Sequence, residues 1–429
     1  MTAGNLTETK GAVLKTTKQV SKSPKPTSLK KHNDQSIRQI YLQALKEGRF
    51  DPATNKAVLF YDLDCLQNRL DTLSTFFPEQ VLHAIAVKSQ SHPAVLQYIA
   101  EAGFGLEAAS IEEVKLAEAA GVDGAKIVFD SPVKTRDEID YCHRHLPGII
   151  VNANSLEELS RYPADFRGRL GLRINPLVSS DAPEILNVSQ KRSKFGVPIS
   201  RKDAIVDACV QNQKIEGLHF HIGSGIKDFS GNIEAVRRVY NLAVEINLLR
   251  KDNPLSFIDI GGGIDFDSAT GKFSVESFAQ EIQSQFPLMF QNFQVITEYG
   301  KFVHKYNCFA ASKIEYVIEG HTKEETGTAF VHLGADLFLR KVYSSLDINY
   351  PYSILHQGDS TAQATYNIAG PLCFAGDFLY DDITVNKLNE GDVFFIHNIG
   401  ANTSSMWSRH CSREEPQYVT VHSSKMTKS

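Results

Sequence analysis

Short apolar runs recur along this chain, and each ends in polar residues. They read VLHAIAVKS, GFGLEAAS, KIVFDSP, GIIVNAN, RLGLRINP, GLHFHIGS, FIDIGGGI and QVITEYG. The first five begin about 22 residues apart and later gaps are roughly 40, the rhythm of a strand followed by a helix. Between them, HPAVLQYIAEAG and IEEVKLAEAAGV space apolar residues at three and four positions and close near Gly, as amphipathic helices do. NIEAVRRVYNLAVEINLLR keeps that spacing for longer. Strands apolar throughout, alternating with amphipathic helices, predict a parallel sheet buried on both faces. Eight such units predict an α/β chain closed into a TIM-like (β/α)8 barrel, with an open doubly wound sheet as the rival.

The polar residues at the run ends are Lys88, Glu107, Asp130, Asn152, Arg173, His221, Gly261 and Glu298. In a barrel, that C-terminal rim is where sites are built. After about residue 305 the pattern turns β-rich, in KIEYVIEG, TAFVHLGA, ATYNIAG, DITVNKLNEGDVFFIHNIG and QYVTVHSS. NEGD within the fourth run reads as a hairpin or a tight loop. These runs predict an antiparallel β domain, completed by chain from before the barrel. The first 34 residues are rich in Lys, Thr and Ser, with Glu8 and Asp34 their only acids, and carry too little apolar surface to offset ordering entropy. The expected organisation is a disordered tail over 1–34, the barrel with its lead-in over 35–305, and a β-sandwich or β-barrel over 306–425.

Composition narrows the function. A formal net charge of −5 gives no electrostatic footprint for nucleic acid. The cysteines Cys65, Cys142, Cys209, Cys308, Cys373 and Cys411 are scattered without a CxxC pair, which argues against a disulfide scaffold and for a reducing, cytoplasmic setting. No apolar run approaches the length of a membrane span, and no apolar stretch follows the start as a secretory leader requires.

Each rim motif has a plain reading and a chemical one. Lys88, in AIAVKSQSHP, is either a solvated lysine at a strand end or a Schiff-base lysine whose pKa burial lowers. His219 and His221, in GLHFHIGSG, share a strand face. Without a third ligand close in sequence they argue against a metal, leaving a packed histidine or an imidazole lying over a flat cofactor. Gly261, Gly262 and Gly263 permit close backbone approach and amides converging on an anion, though turns use Gly freely. In ITEYGK, Glu298, Gly300 and Lys301 offer a carboxylate for a ring nitrogen and a cation for a phosphate, or a local surface pair. Together, a lysine, a stacking ring, a glycine loop and a carboxylate at one rim are the equipment for pyridoxal 5'-phosphate.

In order, from about residue 55 onward, these segments resemble the fold-type III, pyridoxal-phosphate-dependent ornithine/diaminopimelate/arginine decarboxylases, whose barrel is of the alanine-racemase kind. AVKSQSHP is similar to that family's cofactor-lysine segment, which makes Lys88 the cofactor lysine. GFGLEAASIEEV places Glu107 where an aspartate is usual. LRINP carries Arg173 among the cofactor contacts. HFHIGSG puts His221 over the ring and Ser224 near the phosphate, with Gly261, Gly262 and Gly263 as the phosphate loop. EYGK stands where the family has EPGR, so Glu298 would hold the ring nitrogen, with Gly300 and Lys301 beside it. GPLCFAGD resembles GPxCxxxD, which makes Cys373 the general acid that reprotonates the product, reaching across a homodimer interface into a shared active site.

The departures bear on substrate. The family members that grip a distal amine carry an acid after the cysteine, where this chain has Phe374. A phenyl ring cannot pair an ammonium, so the expected substrate lacks a distal amine there. Lys301 replaces the arginine fork, and Asn402 replaces the tyrosine of a GAY segment as a phosphate contact. Asp377, Arg409 and His410 join Phe374 as expected specificity positions; the arginines either recognise a substrate carboxylate or form a solvated surface. The expected function is decarboxylation of an amino acid or a derivative, carboxylate-bearing if those arginines line the pocket. The alternatives are a racemase on the same barrel and a catalytically silent regulator.

Overall fold

The structure is a computed structural model that describes residues 29–250, 252–266, 270–320, 322 and 325–426. Most of the tail expected over 1–34 lies outside the described residues. Its last part does not behave as a tail. Lys30 donates its backbone N–H to Asn68 Oδ1 at 2.9 Å, and helix α1 (Asp34–Lys46) opens on an Asn33/Ser36 capping box.

Strand β1 (Ala57–Asp62) leads into α2 (Leu63–Phe76) and stays out of the barrel. The barrel strands follow: β2 (Leu82–Ala86), β3 (Gly105–Ala108), β4 (Ile127–Phe129), β5 (Ile150–Ala153) and β6 (Arg169–Asn175). A two-residue edge, β7 (Val197–Pro198), precedes β8 (Ile215–His219), β9 (Phe257–Asp259) and β10 (Gln294–Thr297). The order β5-β4-β3-β2-β10-β9-β8-β6 closes through β5–β6 pairing, and every pair is parallel. The closed barrel is the predicted one, strand for strand, and the open-sheet rival falls.

The intervening helices bury the faces their spacing predicted. Helix α3 (Pro93–Glu101) buries Val95, Leu96 and Ile99; α4 (Ile111–Ala119), capped by Ser110, buries Ile111, Val114 and Ala117. Helices α5 (Arg136–His145), α6 (Lys202–Gln211), α7 (Ser230–Leu249) and α8 (Val275–Gln285) complete the outer ring. Inside, Leu82, Ala84, Val128, Ile150, Phe257 and Ile296 form an apolar plug. Gly217 makes room for it, since a Cβ there would meet the Phe257 ring at 2.4 Å. Above the plug the interior turns polar. In register, Arg173 of β6 lies beside His219 of β8, and His219 beside Asp259 of β9.

The rest of the chain builds two further sheets. One has the order β14 (Tyr352–Leu355), β17 (Val393–Ile396), β11 (Cys308–Lys313), β1, β18 (Gln417–Val421). The other runs β12 (Tyr316–Ile318), β13 (Gly327–Phe330), β15 (Gln363–Ala369), β16 (Phe378–Asn386). Chain from before the barrel does complete this region, through β1. Pairing is antiparallel except at β1/β18 and β13/β15. Because β16 and β17 sit in different sheets, Asn389–Asp392 is a tight loop and not a hairpin.

Candidate active site

Lys88 lies in a single 3-10 turn just beyond β2, at the barrel mouth. Its Nζ contacts Glu107 Oε2, at the end of the neighbouring β3. The lysine side chain keeps 43% exposure because the mouth is open above it, whereas Glu107 is fully buried. Burial pushes the ammonium down, but Glu107 and then Glu298 more than reverse this and hold it above the ordinary lysine range. The expectation that burial lowers the lysine is therefore corrected: beside these carboxylates it keeps its proton. Burial raises the Glu107 carboxyl, against the pull of the Lys88 ammonium.

Across the mouth, buried Glu298 follows β10. His219 Nε2 lies 3.5 Å from Glu298 Oε1 and 3.2 Å from Asp130 Oδ2; His221 Nδ1 lies 3.5 Å from Glu298 Oε2. The two alternating histidines do share a face, and the carboxylates they meet come from distant segments. Burial, reinforced by Asp130, Asp259 and Glu107, raises the Glu298 carboxyl well above its usual range. Asp259 is pushed up to about 8 by burial beside Asp130. Despite its burial, Asp130 is held low by His219 and Arg173. His219 is lowered by burial to about 3.

The glycine loop packs more than it cradles. A Cβ on Gly262 would meet Glu298 O at 2.2 Å, and one on Gly263 would meet Gly223 O at 1.8 Å. Gly261 N–H donates to Asp259 Oδ1 (2.9 Å) and Gly262 N–H to His221 Nδ1 (3.2 Å), so of the expected convergent amides only that of Gly263 is left by these bonds. Gly300 sits against Ser89, whose Oγ a Cβ would meet at 2.1 Å.

Beyond this loop a cavity of about 730 Å³ opens, lined by Ser224, Lys301, Asn402, Asp265, Lys305 and Arg340 among others. Lys301 Nζ is 2.6 Å from Asp265 Oδ2, and Lys305 Nζ is 3.3 Å from the same oxygen. Asn402 takes a left-handed φ of 55° and donates its N–H to Ser89 O. Sequence reasoning passed over Asp265, Lys305 and Arg340. The basic run LRKVYSS was the available signal for the last, but nothing in the sequence tied Asp265 to Lys301.

The GPLCFAGD segment does not line this cavity. Cys373 and Phe374 are exposed. The Phe374 ring stacks on Tyr343, whose hydroxyl meets His410 Nδ1 at 3.1 Å. Arg409 is exposed, and Arg413 is committed to Asp336 at 2.9 Å. Asp377 is nearly fully buried; it accepts from Ala335 N–H (2.6 Å) and Leu372 N–H (2.8 Å). One oxygen is used inside the loop and the other on Ala335 outside it, so Asp377 shapes the segment.

A closed barrel with a lysine among carboxylates at its C-terminal rim, joined to a sheet domain, is the architecture of the fold-type III pyridoxal-phosphate enzymes. Residues 63–305 match the pyridoxal binding domain of pyridoxal-dependent decarboxylases, and 289–400 match their C-terminal sheet domain. The chain belongs to this pyridoxal-dependent decarboxylase family and is a pyridoxal-phosphate-dependent amino-acid decarboxylase. It is 27% identical over 396 residues to the diaminopimelate decarboxylase of Neisseria meningitidis serogroup A, covering 89% of this chain and 93% of that one. The Archaeoglobus fulgidus diaminopimelate decarboxylase is 26% identical over 372 residues, 83% of this chain and 85% of the other. The Helicobacter pylori diaminopimelate decarboxylase complexed with L-lysine superposes with a TM-score of 0.77 at 22% identity, over 89% of this chain and 94% of that one. The Vibrio vulnificus lysine/ornithine decarboxylase complexed with cadaverine gives 0.74 at 21%, over 91% and 99%. These two speak for the fold.

The residues at the mouth fit the cofactor. Four carboxyl groups, Glu107, Asp130, Asp259 and Glu298, crowd the mouth, and burial raises Glu107, Asp259 and Glu298, as it does where a positive partner is lacking. Buried Glu107 Oε1, Asp259 Oδ2 and Glu298 Oε1 lack hydrogen-bond partners, as do both nitrogens of His219. A protonated ring nitrogen supplies the missing positive charge and donor.

Proposed function

We propose that this chain decarboxylates an amino acid or amino-acid derivative that lacks a distal amine beside Phe374, with Lys88 as the cofactor lysine and Cys373 as the proton donor. The observation that carries this reading is the Lys88–Glu107 contact, set in a buried carboxylate cluster that includes Glu298. Glu298 would hold the proton on the ring nitrogen, and His221 and Arg173 would flank the ring. Ser224, Gly263, Lys301 and Asn402 would hold the phosphate. Bound there, pyridoxal phosphate supplies an electron sink for the pair left at the substrate α-carbon when CO2 departs. Glu107 would hold and orient the Lys88 side chain at the mouth. The Cys373 thiol delivers a proton to the α-carbon.

Cys373 is exposed and outside the cavity of its own chain, which supports a homodimer in which each thiol completes the partner's site. The proposed division into a barrel over 35–305 and a sheet domain over 306–425 is crossed by β1, which belongs to the sheets. No described helix is long and apolar enough to cross a membrane, and we place the enzyme in the cytoplasm on its unpaired cysteines.

Arg340 supports a carboxylate-bearing substrate better than the exposed Arg409 and His410 do, because it lines the cavity. The test is borohydride reduction, digestion and peptide mass analysis, followed by CO2 measurement over a panel of amino acids. A pyridoxyl tag on Lys88 and CO2 release from a carboxylate-ended substrate are expected. A tag elsewhere, or racemisation without CO2, overturns the reading.

A further inference from the structure

Three potential ligands meet where the lead-in segment crosses the start of α2. His32 Nε2 lies 3.5 Å from Asp62 Oδ2 and 3.8 Å from Cys65 Sγ. The three ligand atoms all fall within 4.8 Å of one another. Asp62 has no exposed surface, Cys65 is 3% exposed, and the His32 side chain is 6% exposed.

The cluster is incompletely satisfied as it stands. Asp62 caps α2: its Oδ1 accepts from Asp64 N–H at 2.9 Å and from Ser423 N–H at 3.2 Å. Its Oδ2 is buried and has no N–H or O–H donor. Among the described residues His32 is its sole ion-pair partner. A buried carboxylate oxygen with only an imidazole at 3.5 Å and a weakly donating thiol beside it is costly without a further partner.

The spacing identifies that partner. Bond lengths of about 2.0–2.1 Å to nitrogen or oxygen and about 2.3 Å to sulfur, at tetrahedral angles, put N and O about 3.4 Å apart and N and S about 3.6 Å apart. The observed separations are within a few tenths of an ångström of those edges. The neighbouring cation does not occupy the space. The Arg69 guanidinium lies over the rings of Phe302 and Tyr306, at 5.3 and 5.0 Å, and donates to Lys30 O. The His32 ring is held edge-on to Phe309, which fixes the direction of its nitrogen.

We propose that His32, Asp62 and Cys65 form a structural zinc site that staples the segment before α1 onto β1 and the first turn of α2. A thiolate, an imidazole and a carboxylate suit Zn2+ among common divalent ions, with water as the fourth ligand. Binding releases the Cys65 thiol proton to solvent, and thiolate and carboxylate then balance the dication. The site lies outside the decarboxylation machinery and serves the fold.

The test uses the full-length holoenzyme. Protein incubated with Zn2+ and desalted is measured for zinc per chain by plasma mass spectrometry, beside Cys65→Ser and His32→Gln. We expect one zinc per chain in the parent and a drop of about tenfold or more in each variant, with the cofactor absorbance kept in all three. Cobalt-loaded parent should show a thiolate charge-transfer band, which needs no variant to fold. Failure of the parent to retain zinc, equal retention in both variants, or zinc uptake that bleaches the cofactor by binding Asp130, His219 and Glu298 overturns the proposal. So does a cobalt spectrum without the thiolate band.

Discussion

Phe374 and Tyr343 lie face to face, their ring centroids 5.1 Å apart and their planes inclined by 29°. Tyr343 in turn meets His410, so the position after Cys373 belongs to an aromatic platform and not to an isolated side chain. A stacked ring keeps its place better than a free one, so under the proposed function Phe374 would offer a defined surface to an apolar substrate portion.

Phe374→Asp should therefore do two things. It removes the stack and lowers kcat/KM for the enzyme's own substrate. It also supplies a carboxylate for a distal ammonium, so ornithine or lysine should gain about tenfold or more in CO2 release relative to the parent, ~1.4 kcal/mol of new recognition. Parent enzyme that already turns over ornithine at ordinary rates would refute the specificity argument.

How far the sequence reached depends on how local each signal was. Each barrel strand was visible because an apolar run is a property of neighbours, and the rim residues followed by position. Lys88, Glu107, His221 and Glu298 meet as the motif order implied. The Asp130–His219–Glu298 convergence was not visible, because it exists only after β4, β8 and β10 close into a ring. Asp377 looked like a specificity residue because it ends a motif. Only the structure shows that Gly370 and Gly334 lack a Cβ where it would strike the Asp377 carboxylate, at 2.2 and 2.8 Å. Strand β14 was missed: YSIL is short, and its partner β17 lies about forty residues on.

Cys373→Ala should lower kcat by about 10²–10⁴-fold, the usual range for a lost general acid, and leave the cofactor absorbance in place. The proposed sharing of sites adds a sharper expectation. Mixing Cys373→Ala chains with Lys88→Ala chains should restore activity in about a quarter of all sites, because each mixed dimer rebuilds one intact site. No recovery on mixing would place thiol and lysine in the same chain's site.

The carboxylate cluster predicts a pH effect on stability once the cofactor is stripped. The Asp259 carboxyl is pushed up to about 8 by burial beside Asp130, against about 3.9 in the unfolded chain. A raised folded pKa means its contribution is fully present below about pH 4 and lost as pH rises through about 8. Asp259→Asn keeps an acceptor for Gly261 N–H but cannot ionise. Its midpoint of thermal unfolding should gain on the parent steadily from pH 4 to pH 8, and hold level with or fall below it at pH 4. A pH-independent difference would mean that Asp259 is not the strained group.

Asp265 sets the last expectation. Burial pushes its carboxyl up, but Lys301 and Lys305 overcome this and hold it below the usual range, so it is an anion at any working pH. It stands in the same cavity as Ser224 and Asn402 and occupies both ammonium groups that a phosphate would use. A second anion there competes for the lysines and repels the phosphate across a partly buried gap. Asp265→Asn keeps the shape and removes the charge, so it should tighten cofactor binding by roughly tenfold, ~1.4 kcal/mol. Titrating stripped enzyme with pyridoxal phosphate and following absorbance reads this directly, with phosphate-free pyridoxal as the control that should not change. Weaker binding of pyridoxal phosphate would mean that Asp265 orients the lysines and does not compete for them.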